Sequence, residues 1–444
     1  MNIFLGIVVG LLVLMLLVTL HEFGHFIMAR RNGVRVLEFG IGFPPRAIAW
    51  IKDRKTHKWR RLKRSEWDKN NVTKAIGAGS DSGQSEKDSG KLFADGMIFS
   101  LNFLPIGGFC QMDGESAEDK RPGTFGKASF WAKTKILFAG VAMNWLVAFV
   151  VLTILAWTGM PTFLENQFTI KEDTQKEPEY VMVVSVFEGS PAEKAGLKVD
   201  DRILGVEGQD FRFSSDVKAY NTEHAGEEVT YRVLREDATE CDCVVEPCDC
   251  PASEQTILIT AQLNPAGEDL SLGVEMAKPQ TLAYSTWSAP IVGAGLTLQI
   301  TGETFKGAGE MVWNLIRGAG MQLSFNDETR DAGREAISEV GESVSGPVGI
   351  VGLIFPMFAA AGPNNLAFIA ALISISLACM NVLPIPALDG GRWLLIAIFK
   401  LRGKKLTKET EEKIVARTFM VLLALMFIVT ILDIIHIVEL SNGA

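Results

Sequence analysis

The sequence predicts a polytopic α-helical membrane protein with four transmembrane helices and one external, β-rich domain between the second and third. Three observations carry this. Apolar residues gather into a few charge-free blocks of spanning length. Lys and Arg concentrate on alternate connections between those blocks. Residues 180–265 instead alternate short β-like runs with turn signals.

The blocks come first. Residues 3–20 form an uninterrupted apolar run of 18, and residues 136–164 carry no charge over 29. Residues 343–388 carry none over 46, and residues 418–432 add 15 more. A span needs about 20 apolar residues, so the third block is too long for one crossing. Pro347, Gly362 and Pro363 divide it, and the span proper is placed from near Asn365. The first block lacks the basic n-region and small-residue cleavage site of a secretory signal, and Arg30 and Arg31 come directly after it. The positive-inside rule then puts residue 30 in the cytoplasm and both termini outside. The basic stretches 30–135 and 400–413 fall inside under this arrangement, and the acidic stretch 165–269 falls outside. Residues 279–302 are uncharged over 24 but rich in Thr, Ser and Gly. A crossing there would invert everything after it, so this segment is read as lying on or dipping into the outer face without spanning.

Composition narrows the function. Hydrophobic residues make up 48% and charged residues 21%, which excludes a disordered chain. The net charge of −9 excludes general nucleic-acid binding, and six cysteines are too few for a disulfide scaffold.

The chemistry is concentrated in His21-Glu22-Phe23-Gly24-His25, at the inner end of the first span. On a helix, positions i and i+4 share a face, so His21 and His25 can hold one zinc ion while Glu22 serves as general base. Three ionisable groups in one turn at membrane depth are costly without a function. A catalytic zinc needs a third protein ligand and an open position. Asp389 is the candidate. It ends the longest charge-free block, with Pro384 and Pro386 before it and Gly390 and Gly391 after it breaking the helix. Broken backbone at membrane depth is tolerated where it lines a cavity or is buried in protein. Both motif-bearing spans run from outside to inside, which brings His21, His25 and Asp389 to one depth.

These two motifs with four spans resemble the site-2 protease family of intramembrane zinc metalloproteases, of the bacterial regulator-of-sigma-E protease type. The resemblance implies His21, His25 and Asp389 as zinc ligands and Glu22 as catalytic acid/base. It implies that Asn381, Pro384 and Pro386 lie along the substrate cleft. Gly140 and Asn144 match the family's Gly-x-x-x-Asn pattern, with Asn144 a polar contact to substrate or an interhelical hydrogen bond. Strand-like residues 34–43 and 97–112 become, by the same analogy, a membrane re-entrant β-segment to which a substrate strand can add. The implied partners are single-span membrane proteins already cut on the outer side, in the bacterial inner membrane, with no nucleic acid. Anti-sigma factors and signal-peptide remnants are the substrates this implies.

Residues 189–204 (GSPAEKAGLKVDDRIL) resemble the signature of bacterial PDZ domains: Pro191 starts a short helix, Gly196 caps it, and Asp201 leads into a strand. Cys241, Cys243, Cys248 and Cys250 interrupt the last hairpin, as two disulfides or as a thiolate metal site. Cys110 and Cys379 read as isolated buried thiols, and Asp433 and His436 as interfacial polar residues.

The resulting order is 1–30 first span, 31–130 cytoplasmic and re-entrant β-region with a flexible insertion at 52–95, and 131–164 second span. Then come 165–270 PDZ domain with the cysteine insertion at 241–250, 271–362 membrane-surface region, 363–400 third span and 412–440 fourth span. Residues 54–64 within the insertion are basic and suit either anionic lipid or a solvated loop. The rival function is a non-enzymatic receptor or scaffold working through the PDZ domain.

Overall fold

The structure is a computed structural model. It describes residues 3–53, 56–64, 96–116, 118–164, 166–176, 181–211, 214–237, 253–265, 271–277, 282–322, 330–334 and 346–442. The cysteine cluster 241–250 and most of the insertion, 65–95, lie outside these. The chain forms two compact units, the first made of residues 1–160, 168–173 and 285–444, the second of 161–167 and 174–284.

In the first unit, four of the described helices are long and apolar enough to cross a membrane. Helix α1 (Ile3–Arg31) continues unbroken through the HEFGH motif and ends on Arg30 and Arg31, cations suited to a helix C-terminus. The chain then enters a sheet. Strand β1 (Val36–Lys52) pairs antiparallel with β2 (Trp59–Arg61) and β3 (Ile98–Met112). Each long strand folds back at its middle, so Phe39 faces Cys110 on one side and Phe99 on the other. Buried Glu38 binds this interior together, accepting from Arg46 and from Ser100 Oγ at 2.6 Å. The bend leaves Phe43, Phe103 and Leu104 exposed. Beside it, Gly107 and Gly108 of β3 lie against Val18 and Thr19 of α1, one turn before His21.

Helix α2 (Phe130–Thr158) starts at Ser129, whose hydroxyl accepts from Ala132 N at 3.2 Å. Its buried face carries Gly140, Asn144, Ala148 and Thr153. Small and polar residues let helices approach closely and hydrogen-bond across the contact.

In the second unit, strands β4 (Val181–Val186), β5 (Arg202–Val206), β6 (Glu228–Asp237), β7 (Ser253–Gln262) and β8 (Val274–Ala277) form an antiparallel sheet in the order β7-β6-β5-β4-β8. Helix α3 (Pro191–Ala195) is capped by Ser190 and ends on Gly196 in the left-handed region, φ 82°. Helix α4 (Ser214–Glu223) packs Val217 into a core with Val183, Ile203, Tyr231 and Ile259. Asp201, buried, accepts twice from Arg235 at 2.7 and 2.6 Å.

Back in the first unit lies helix α5 (Ala289–Gln322), within the region read as lying at the membrane surface. Its Val292, Gly293, Leu296, Thr297 and Ile300 are buried, and Gly293 meets Thr153 of α2. Farther along, Thr301 reaches the Cys379 thiol. This stretch therefore runs beside the spanning helices. Its Thr and Gly content lowered the hydropathy while leaving one apolar stripe. The N-terminal end of α5 is fastened by Asp173, which accepts from the backbone and hydroxyl of both Thr286 and Ser288.

Helix α6 (Pro347–Ala360) sets Phe355 and Pro356 against α1 at Gly10 and Gly6. Helix α7 (Pro363–Val382) hydrogen-bonds α2 through Ser374 Oγ to the Asn144 carbonyl, 2.9 Å. It stops at Val382, and helix α8 (Asp389–Leu401) begins at the aspartate itself. The 363–400 region thus holds one candidate span, Pro363–Val382, followed past the break by the separate helix α8. The expectation that Gly390 and Gly391 break the helix is corrected. Both lie in the first turn of α8, where a Cβ would collide with the backbone of Val382 and Ile385. The proline segment makes the break, and the glycines allow the turn to close against it. Helix α9 (Lys408–Asn442) starts four residues before the expected fourth span. Asp433 is no mere interfacial group, because it accepts from the backbone N–H of Gly346 and Gly349 at 2.9 and 2.8 Å.

Candidate metal centre

Helix periodicity places His21 and His25 on one face of α1, and the restart of the helix at Asp389 presents that carboxylate to them. His21 Nε2 lies 3.1 Å from Asp389 Oδ2, His25 Nε2 lies 3.2 Å from the same oxygen, and the two Nε2 atoms are 3.1 Å apart. Both histidines are buried, and the Asp389 side chain is 20% exposed. Zinc bonded tetrahedrally at about 2.0–2.2 Å sets its donors about 3.3–3.6 Å apart. The observed triangle is therefore one face of such a tetrahedron to within a few tenths of an ångström, with the fourth corner left to a reactant.

The surroundings fit the same group. A Cβ on Gly140 would lie 2.5–2.7 Å from the imidazole atoms of His25 and His21, so only glycine leaves room for both rings. His25 Nδ1 lies 2.8 Å from the Ile136 carbonyl, which takes its proton and leaves Nε2 as the donor to metal. His21 Nδ1 faces the Asn144 amide at 3.3 Å. Glu22 is close enough to both histidines to complete a three-residue cluster, its donor atoms within 4.8 Å of theirs. The backbone N–H of Cys110, on β3, donates to the Glu22 carboxylate.

Side chains just beyond Asp389 hold helix α8 in place. Arg392 donates to the Glu115 carbonyl at 2.7 Å and to Glu411 at 3.4 Å, and Trp393 Nε1 donates to Thr134 Oγ1 at 2.9 Å. A cleft of about 860 Å³ opens on Asp389, lined by Gln111, Glu115, Arg121, Pro386, Arg392 and Glu411 among others.

The structure brings His21, Glu22, His25, Asp389 and Asn144 together and puts Pro386 on the cleft. Asn144 is fully buried, with its amide facing His21. Asn381 commits one amide proton to the Leu377 carbonyl, 2.9 Å away, and retains the second. Pro384 is exposed in the turn. Sequence reasoning missed the cradle at Gly140, although the Gly-x-x-x-Asn spacing marked the residue. It also missed Ile136 and Cys110, whose contributions are backbone groups and leave no side-chain signal.

A membrane-associated helical bundle holding two histidines of an HExxH turn and a distant aspartate in a metal-sized triangle defines a zinc metalloprotease. A family profile described as peptidase family M50 matches residues 9–62 and 90–426. The chain belongs to that family, the site-2 proteases. It is 26% identical to the zinc metalloprotease RasP of Bacillus licheniformis, over 94% of this chain and 96% of the relative. It is 25% identical to the regulator of sigma-W protease RasP of Bacillus subtilis, over 94% and 95%. Zinc is the cofactor this membership carries, and it sets aside the non-enzymatic receptor.

Proposed function

We propose that this zinc metalloprotease hydrolyses peptide bonds in or beside the transmembrane segments of single-span membrane proteins, with His21, His25 and Asp389 as its ligands. The observation that carries the reading is the location of the metal triangle, formed by residues of α1 and α8, with α2 packed behind the imidazoles and β3 alongside. Zinc held there supplies Lewis acidity toward a peptide carbonyl and makes water acidic enough to deprotonate near neutral pH. Glu22 takes the proton from the attacking water and returns it to the leaving amine. The Cys110 N–H steadies the carboxylate between those two transfers. The second Asn381 amide proton is available to a substrate carbonyl.

A helix hides its carbonyls in its own hydrogen bonds, so a substrate must open before it is cut. Strand β3 passes beside α1 at Thr19 and Cys110, and strand addition there supports an extended substrate at the depth of Glu22. This supports the re-entrant reading of β1 and β3. The second unit supports a PDZ domain that screens substrates. Its β8 lies at an end of the sheet, with no strand on its outer side among the described residues. The basic residues after α1 and around α8 support a cytoplasmic position for the HEFGH end, in a bacterial inner membrane, with both termini outside. The sigma-W protease relative points to anti-sigma factors as one substrate class, and signal-peptide remnants fit the same chemistry.

The test is cleavage of a single-span substrate by purified protein, wild type against Glu22→Gln, with zinc measured on both. We expect zinc in both and cleavage in wild type alone, with a loss of at least ~100-fold. Zinc in both with no wild-type cleavage of helix-destabilised substrates would overturn the intramembrane reading.

A further inference from the structure

We propose that Asn144 is a positioning residue for the metal centre, its side-chain oxygen accepting the Nδ1 proton of His21 so that Nε2 is presented to zinc. The inference rests on reading His21, His25 and Asp389 as the ligand set. A neutral imidazole that gives one nitrogen to a metal carries its proton on the other, and that proton needs an acceptor. For His25 the acceptor is the Ile136 carbonyl. For His21 the group facing Nδ1 is the Asn144 amide, with Nδ2 at 3.3 Å. In that orientation the amide donates to Nδ1 and leaves the ring proton on Nε2, which then points at Asp389 Oδ2 and blocks the metal corner.

The same side chain has an unmet need. Asn144 is fully buried, and its Oδ1 has no hydrogen-bond partner among the described residues. A half-turn of the amide about its terminal bond exchanges oxygen and nitrogen without moving another heavy atom. Oδ1 then meets the Nδ1 proton, the orphaned acceptor is satisfied, and both histidines turn Nε2 toward one point. The residue sits on α2 one turn past Gly140, the position that admits the two rings. Helix α2 thus contributes the space for the ligands, and through Ile136 and Asn144 the two acceptors that set their tautomers. Asn144 touches no substrate in this role.

The experiment is zinc affinity of the full-length protein in detergent, by competition with a chelator of known strength, for wild type, Asn144→Leu, Asn144→Asp and His21→Ala. Leucine keeps the volume and removes the acceptor; we expect zinc to bind about 10- to 100-fold more weakly. Aspartate keeps an acceptor, and we expect affinity within about threefold of wild type or tighter. Equal affinity of wild type and Asn144→Leu would overturn the proposal. So would equal weakening by Leu and Asp, since that pattern belongs to packing alone. Unchanged zinc in His21→Ala would overturn the ligand set itself, a failure separable from that of Asn144 because it is read on another residue.

Discussion

Helices α2 and α9 are alike in length and apolar content, yet half of the apolar window of α2 is buried and none of that of α9. The difference lies in what interrupts each surface. On α2 the interruptions are Ala139, Gly140, Asn144, Ala148 and Thr153, all buried, and each either allows a close approach or makes a hydrogen bond. On α9 the surface is Phe419, Met420, Leu425, Phe427, Ile428 and Ile431, all exposed and large. Lipid solvates such a surface as well as another helix would, so bulk apolarity gives no reason to pack. Helix α9 is instead fastened near its ends, by Glu411 to Arg392 and by Asp433 to the start of α6. Hydropathy marks both helices as spans, and small or polar residues mark the one that builds the site.

Substitutions can break this contrast. The largest effect is expected at Gly140→Ala, where the added carbon must displace an imidazole. We expect most bound zinc to be lost and cleavage to fall by at least ~100-fold, read by metal analysis and substrate turnover; overpacking alone costs about 1–3 kcal/mol. Asp433→Ala should be milder. It removes a charged acceptor from two N–H groups at the start of α6, at a cost of about 0.5–2 kcal/mol in thermal unfolding, with zinc retained. Zinc loss in Asp433→Ala comparable to that in Gly140→Ala would erase the distinction between the two helices.

A third prediction sharpens the same point outside the spans. Some desolvation pushes the Asp173 carboxyl up, but the Ser288 and Thr286 hydroxyls and backbone N–H groups outweigh it and hold its pKa at about 2. The ordinary value is about 3.9, so the folded state favours the ionised form. The stabilisation is complete above about pH 4 and is lost as pH falls toward 2. Asp173→Asn should flatten that part of a melting-temperature profile; an unchanged slope would remove Asp173 as its source. The smallest effect belongs to Leu425→Ala on α9, within about 0.5 kcal/mol and with normal turnover. A deficit there approaching that of Gly140→Ala would show that α9 packs on a partner.

Much of this was legible in the sequence. The four long helices come from charge-free blocks, His21 and His25 from helical spacing, and Asp389 from the proline break before it. Helix α5 was illegible because Thr297, Thr301 and Thr304 turn their hydroxyls back to carbonyls four residues earlier, which masks their polarity inside a helix. The continuation of β1 past Pro44 and Pro45 was hidden for the opposite reason. Proline ordinarily ends a strand, and only the fold shows that the chain bends there and resumes pairing at Arg46. Asn144 was legible as a polar residue near the site, but its contact with His21 Nδ1 needed coordinates.

Asp389 also imposes an order in time. The two histidines lie in the first helix, and their third partner comes 364 residues after His25. A growing chain therefore carries an HExxH turn into the bilayer while the metal triangle is still missing a corner. On the proposed ligand set, we expect no activity until α8 has closed on α1 and α2. A chain cut short before Asp389 should insert, keep both histidines and hold zinc far more weakly than the complete protein. Zinc held equally well by the two would show that the site matures without its last ligand.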